Sequence, residues 1–164
     1  MEMKKSMLVI LCVVLLTAAL AACSSQPDPS PSPAEPVVPA AAAKTMCEKV
    51  AFADLMSEAD AATVRRIFAL DAAAVPDAAG YLSTGATAEE LFVFSCADES
   101  GVGTVKKAVE TRLGSQREGY ADYGPAEVPK IDAAVVETRG LVVFVCVCDD
   151  PAQARAAIDE IAGK

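Results

Sequence analysis

The run Leu141-Val142-Val143-Phe144-Val145-Cys146-Val147-Cys148 constrains this chain more than any other stretch. Eight consecutive residues are apolar, and most are β-branched or aromatic. Such side chains favour the pleated, packed surface of a strand over a helix. A strand at a sheet surface alternates apolar and polar residues. A strand with no alternation is covered on both faces and lies inside its sheet. Arg139-Gly140 before it reads as a tight turn from a second strand over 133–137. Asp149-Asp150-Pro151 after it reads as a helix cap followed by proline in the first turn. Ala154, Ala157, Ile158 and Ile161 then give that last helix a small-residue inner face.

The rest of the folding pattern follows from this core. Glu90 to Cys96 reads as another strand. Cys47 to Met56 has helical apolar spacing, and Asp60 caps a helix carrying Val64, Ile67, Phe68 and Leu70. Pro76 and Gly80 break the pattern, so residues 71–87 read as turn and short helix. A helix follows the Asp98–Gly103 turn, with Val102, Val105, Val109 and Arg112 near one stripe. Its far end is blurred by Gly114 and Gly119, and residues 120–130 read as loop. The expected fold is α+β in the order α-α-β-α-β-β-α. It is a small three-stranded sheet with helices packed on it, and strand 141–148 is central and antiparallel to both neighbours.

Ahead of this domain the chain changes character. Lys4 and Lys5 precede an apolar run from Met7 to Ala19, which ends in Leu20-Ala21-Ala22-Cys23. A basic start, a short apolar stretch and small residues before a cut make a secretory signal over residues 1–22. About 20 apolar residues are needed to cross a bilayer, and this run is shorter. The Leu-Ala-Ala-Cys ending resembles a lipobox, which implies acylation of Cys23. Six of the ten prolines fall between Ser24 and Lys44. That composition favours extended polyproline II over a packed core. Residues 23–44 are therefore expected to be an acylated cysteine and tether, and 45–164 a single domain.

Composition narrows the function. The chain has 14 Lys+Arg against 23 Asp+Glu, a formal charge of −9. An acidic surface repels nucleic-acid phosphate instead of displacing its counterions. It also does not adhere to anionic lipid, so membrane attachment is expected through the acyl anchor. Histidine is absent. That removes Ser-His-Asp and Cys-His catalysis and the commonest zinc ligand. No cofactor is expected.

Three groups of residues carry candidate chemistry. Cys146 and Cys148 lie two apart on a strand and so share a face, where paired thiols can exchange disulfides or take a soft metal. Buried cysteine also serves as a small hydrophobe. The acidic pairs Glu89-Glu90, Asp98-Glu99 and Asp149-Asp150 are possible cation ligands, but no calcium-loop spacing accompanies them, and turns and caps use the same residues. Arg112, Tyr120 and Tyr123 combine the residue types that dominate binding hot spots. In the antiparallel arrangement Cys96 lies at the opposite end of its strand from Cys146 and Cys148, beyond disulfide reach.

Several local features resemble an uncharacterised lipoprotein family of Gram-positive bacteria known as a domain of unknown function. They are Ala88-Glu89-Glu90-Leu91 opening a strand, Arg112 in the next helix, Tyr123 and Pro125 after it, Gly140 at the hairpin, and Asp149-Asp150 before the last helix. The resemblance spans roughly residues 48–162, and Cys146 and Cys148 depart from it. It implies no activity and no catalytic residues. The expected function is that of a lipid-anchored, non-enzymatic binding or accessory module of the cell envelope, outside the cytoplasmic membrane, with an envelope protein as a candidate partner. A thiol-dependent redox or metal-handling protein using Cys146 and Cys148 is the alternative, and an envelope hydrolase the third reading.

The anchor is directly testable. Cys23→Ala is expected to abolish incorporation of labelled fatty acid and to move the protein from the membrane fraction to the soluble fraction. Equal labelling of variant and native chains would refute acylation at Cys23.

Overall fold

A computed structural model describes residues 36–163. The signal segment 1–22, Cys23 and the tether up to Glu35 lie outside the described residues. The elements, in chain order, are helix α1 (Pro39–Lys49), strand β1 (Ser57–Ala59), helix α2 (Ala61–Phe68), strands β2 (Asp77–Leu82) and β3 (Glu90–Ser95), and helix α3 (Glu99–Tyr123). A 3-10 turn (Pro125–Glu127), helix α4 (Val128–Asp132), strands β4 (Val135–Arg139) and β5 (Val142–Val147), and helix α5 (Pro151–Ala162) complete the chain. No helix among the described residues is long and apolar enough to cross a membrane.

The sheet has five strands in the order β1-β2-β3-β5-β4, and every neighbouring pair is antiparallel. This corrects the expected three-stranded sheet. β5 does run antiparallel to β3 and β4, with Leu91 opposite Cys146 and Val135 opposite the same residue. The centre of the sheet, however, is β3. The expectation failed at β1 and β2 for a local reason. β1 has three residues. β2 reads Asp-Ala-Ala-Gly-Tyr-Leu, whose first four residues all have low strand propensity. Packing explains the glycine. A Cβ on Gly80 would lie 2.3 Å from Phe92 Cδ1 and 2.6 Å from the Leu91 carbonyl oxygen. The strand tolerates Gly80 because the ring of Phe92 needs that space.

Helices cover both faces. On one face α1 and α5 close over Leu91, Val93, Phe144 and Cys146. On the other, α2 and α3 close over Phe92, Phe94, Val143 and Val145. Phe68 of α2 sits edge-on to both Phe92 and Phe94, with centroids 4.8 and 5.1 Å apart, a favoured aromatic geometry.

Several boundaries differ from expectation: Asp98–Gly103, expected to be a turn, holds the N-cap and start of α3, and the strand expected over 133–137 runs from Val135 to Arg139. α1 starts at Pro39, inside the expected tether, and ends at Lys49 instead of Met56. Proline opens the helix, where its missing N–H costs nothing, and Ala40–Ala43 carry it forward. Ala42, Ala43 and Met46 are buried against the sheet. The segment 120–130, expected to be loop, holds the end of α3, the 3-10 turn and most of α4. α3 passes through Gly114 and Gly119 because its inner stripe of Val105, Val109 and Tyr120 is anchored on both sides of them.

The domain therefore depends on α1. A chain beginning at Thr45 loses Pro39, Ala42 and Ala43 from the core and is expected to melt several degrees below the full chain. Met46→Ala, at a fully buried site, is expected to cost about 2–5 kcal/mol in denaturant unfolding. Unchanged melting in both variants would show that α1 is not part of the cooperative unit.

Candidate functional site

The geometry begins with two adjacent carboxylates. Glu89 and Glu90 are each 1% exposed. Adjacent residues in extended backbone point to opposite faces, so each needs its own partners. A buried carboxylate without them would be strongly unfavourable.

Glu89 is saturated. It accepts hydrogen bonds from the backbone N–H of Ala53 (2.9 Å) and Asp54 (3.0 Å) and from the Thr87 hydroxyl (3.1 Å), and Lys130 Nζ lies 3.5 Å away. Lys130 also meets Glu127 at 3.2 Å and Asp149 at 3.3 Å. Glu127 in turn accepts from the Ala88 N–H at 2.9 Å. This cluster ties together the α1–β1 loop, the β2–β3 loop, the start of α4 and the β5–α5 turn. Asp98 and Asp150, also singled out in the sequence, have local duties. Asp98 caps α3 through Gly101 N, and Asp150 caps α5 through Ala152 N and Gln153 N.

Glu90 faces α3. Arg112 donates to it through Nε (3.0 Å) and Nη2 (2.5 Å), and Gln116 Nε2 adds a third bond at 3.0 Å. Burial pushes the Glu90 carboxyl above its ordinary range, and Arg112 and Gln116 pull it back part of the way. The guanidinium lies against two rings, 5.5 Å from the Phe68 centroid and 5.7 Å from that of Phe92. Its Nη1 has no acceptor among the described residues.

Beside this pair lies a groove of about 570 Å³ between α2 and α3. Ile67, Phe68 and Ala69 form one wall, and the other carries Arg112, Gln116, Tyr120 and Tyr123. Tyr120 is fixed by its hydroxyl, which donates to the carbonyls of Thr87 and Gly85 in the β2–β3 loop. Burial holds that hydroxyl well above its ordinary range, so it stays protonated. The Tyr123 ring stacks on it with centroids 4.8 Å apart and is 67% exposed.

The structure thus brings Arg112, Tyr120 and Tyr123 into one groove. Sequence reasoning missed Gln116, Phe68 and Glu90 as parts of the same arrangement. Arg112, Gln116, Tyr120 and Tyr123 recur at intervals of three and four, a helical stripe that was legible. The Glu90 contact, 22 residues away along the chain, was not.

The thiols lie elsewhere. Cys146 and Cys148 are 0% and 2% exposed, under α1 and α5. A hydrogen bond to Cys148, together with burial, pushes the Cys146 thiol up. Cys148 donates to the Asp150 carbonyl at 3.4 Å. Cys47, Cys96, Cys146 and Cys148 are all free. Cys96 sits beyond the Ser95–Val142 end of the β3–β5 ladder, whereas Cys146 pairs near its other end with Leu91.

The Glu90–Arg112 pair makes a testable contribution. Arg112 is a quarter exposed, so Arg112→Ala is expected to cost roughly 3 kcal/mol, the low end for breaking a buried pair. Glu90→Leu combined with Arg112→Met is expected to recover most of it. A raised carboxyl binds its proton more tightly in the folded chain. Its contribution is therefore full below the ordinary glutamate value of about 4.3 and lost as pH rises through the folded value. Removing Arg112 is expected to steepen that loss. Urea unfolding from pH 4 to 7 checks the sign, and a variant that gains stability with rising pH would contradict it.

No curated protein and no solved structure matches the chain. A family model described as "Domain of unknown function (DUF4358)" matches residues 49–148. The matched span contains all five strands and every residue of the groove, together with Glu89, Glu90 and Lys130, and it stops short of α5. It covers more than half of the chain, and the chain therefore belongs to this family of domains of unknown function.

Proposed function

We propose that this protein is a non-enzymatic binding module, held outside the cytoplasmic membrane by acylation at Cys23, which takes its partner in the α2–α3 groove. The observation that carries this reading is Arg112. It is held by Glu90 and packed against the neighbouring rings of Phe68 and Phe92, yet it lines an open groove with one nitrogen uncommitted. A guanidinium held rigidly beside exposed aromatic area is what a recognition site needs, because little side-chain freedom is lost when a partner binds.

Binding fits this site better than catalysis. The two buried carboxylates have their oxygens occupied by named donors, and the Tyr120 hydroxyl is engaged with backbone carbonyls. None of these groups stands ready to move a proton to or from a molecule in the groove. The signal and lipobox over residues 1–23 support an address at the cell membrane, facing outward. The prolines before α1 support a spacer between anchor and domain.

A photocrosslinking benzophenone side chain replacing Tyr123 in the full-length protein tests this in cells. Discrete adducts are expected in the membrane fraction. The same group replacing Leu55, which is 74% exposed and outside the groove, is expected to give none. Identical patterns from both positions would refute the groove as the binding site.

A further inference from the structure

The two edges of the sheet are not alike. β1 closes one of them with three residues. β4 closes the other with five, Val135–Arg139, paired one to one with β5. β4 contains neither proline nor lysine, two common means of blunting an edge strand.

The hydrogen bonds fix the direction of its backbone groups. The Cys96 N–H donates to the Leu141 carbonyl at 2.9 Å. Val143, Val145 and Val147, in phase with Leu141, therefore bond to β3. Val142, Phe144 and Cys146 bond to β4, opposite Arg139, Glu137 and Val135. The two-residue turn opened by Gly140 at φ 56° gives the same phase, since it closes on the pair Arg139–Val142. Val136 and Thr138 thus aim their N–H and C=O groups out of the sheet. Of these four groups, the Thr138 carbonyl alone has a partner among the described residues, a long contact with Arg139 Nη1 at 3.4 Å.

The side chains along this edge suit a second copy of the same edge. An antiparallel copy centred on Thr138 sets Glu137 opposite the partner's Arg139, and Arg139 opposite the partner's Glu137. Arg139 already meets Glu137 of its own chain at 2.7 Å and Asp159 at 2.9 Å, so these charges select the register more than they add strength. A copy centred on Glu137 puts carboxylate against carboxylate. A copy centred on Val136 needs the Ala134 N–H, which already donates to the Ile131 carbonyl at 3.1 Å.

Apolar surface points the same way. Five large apolar side chains are exposed among the described residues, and two of them, Val136 at 38% and Leu141 at 41%, lie on this hairpin. Centring on Thr138 brings Val136 opposite the partner's Gly140 and beside the partner's Leu141, at both ends of the seam. The two-fold axis of such a pair stands normal to the sheet. Both α1 helices then stay on one face, as two copies anchored in one membrane require, and both α2–α3 grooves share the other face.

We propose that β4 pairs antiparallel with β4 of a second copy, centred on Thr138, to form one continuous ten-stranded sheet. The joined domains present two grooves side by side, a bivalent arrangement that raises avidity without new contacts.

Thr138→Cys in the full-length protein in cells tests this. In a hydrogen-bonded antiparallel pair, residue 138 and its copy have Cα atoms about 5.5 Å apart, within disulfide range. Mild oxidation with copper–phenanthroline is expected to give a covalent homodimer at least about fivefold above that from Leu55→Cys, which is 74% exposed just before β1. The unaltered chain, whose Cys96, Cys146 and Cys148 are buried, sets the background. Val136→Cys is expected to stay near background, because its copy lies four residues along the seam, about 13 Å away. Val136→Pro removes an outward N–H and no ladder bond, and added to Thr138→Cys it is expected to cut the homodimer at least about tenfold. Val136→Lys charges the same seam and is expected to do likewise where proline unfolds the domain. A Thr138→Cys chain that gives no homodimer above background, or one whose homodimer survives Val136→Lys, would overturn the proposal. Stronger crosslinking from Val136→Cys would overturn the register. Adducts of Thr138→Cys with other proteins alone would overturn the second copy as the occupant of this edge.

Discussion

Two neighbouring glutamates at the start of the central strand govern the arrangement of this domain. Extended backbone sends Glu89 and Glu90 to opposite faces of the sheet, and both are buried. Each face must then deliver a cation and further donors to a fixed point. Lys130 and the 53–54 backbone do so on one side, and Arg112 with Gln116 on the other. A carboxylate left unmatched at either position would cost several kcal/mol, more than a typical contact contributes. The register of α3 against the sheet is therefore set at Arg112, and the path of the chain through α4 is set at Lys130.

That constraint also explains why α3 is so long. It must present Val105 and Val109 to the sheet face that carries Phe92 and Phe94, Arg112 and Gln116 to Glu90, and Tyr120 to the β2–β3 loop. Its glycines would weaken a free helix, but tertiary anchors bracket Gly114 and Gly119. α2, by contrast, has eight residues and stops at Ala69, which adopts a left-handed conformation at φ 52°. The groove exists because a 25-residue helix runs on past the end of an eight-residue one.

The sequence conveyed the parts of the fold whose signal is local. Leu141–Cys148 announced a strand buried on both faces, Gly140 its hairpin, and Asp60 and Asp150 the caps of the helices that follow them, whereas Asp98–Gly103 read as a turn and is the cap and start of α3. It hid β2, because Gly80 and its alanines look like a turn until Phe92 is packed above them. It hid α1, because Pro39 sits among prolines that do read as spacer. The groove was half legible. The stripe from Arg112 to Tyr123 follows helical periodicity, whereas Phe68 and Glu90 join it only through tertiary packing, which no spacing rule reports.

The asymmetry between the two glutamates separates structure from function. Glu89 is met by three neutral donors and one lysine, and that lysine is shared among three carboxylates at 12% exposure. These groups are spent largely on one another, so this side acts as a staple. Glu90 is met by an arginine that keeps an unused nitrogen and a quarter of its surface, and by a glutamine whose oxygen is unpaired. Packing alone would be served by a residue with fewer donors, since two N–H groups satisfy the Glu90 carboxylate. The surplus on Arg112 lies on the same groove wall as Tyr123, where aromatic surface is left open. A buried pair whose cation has donors to spare, placed at the edge of a groove, positions recognition chemistry with the same bond that holds the helix to the sheet.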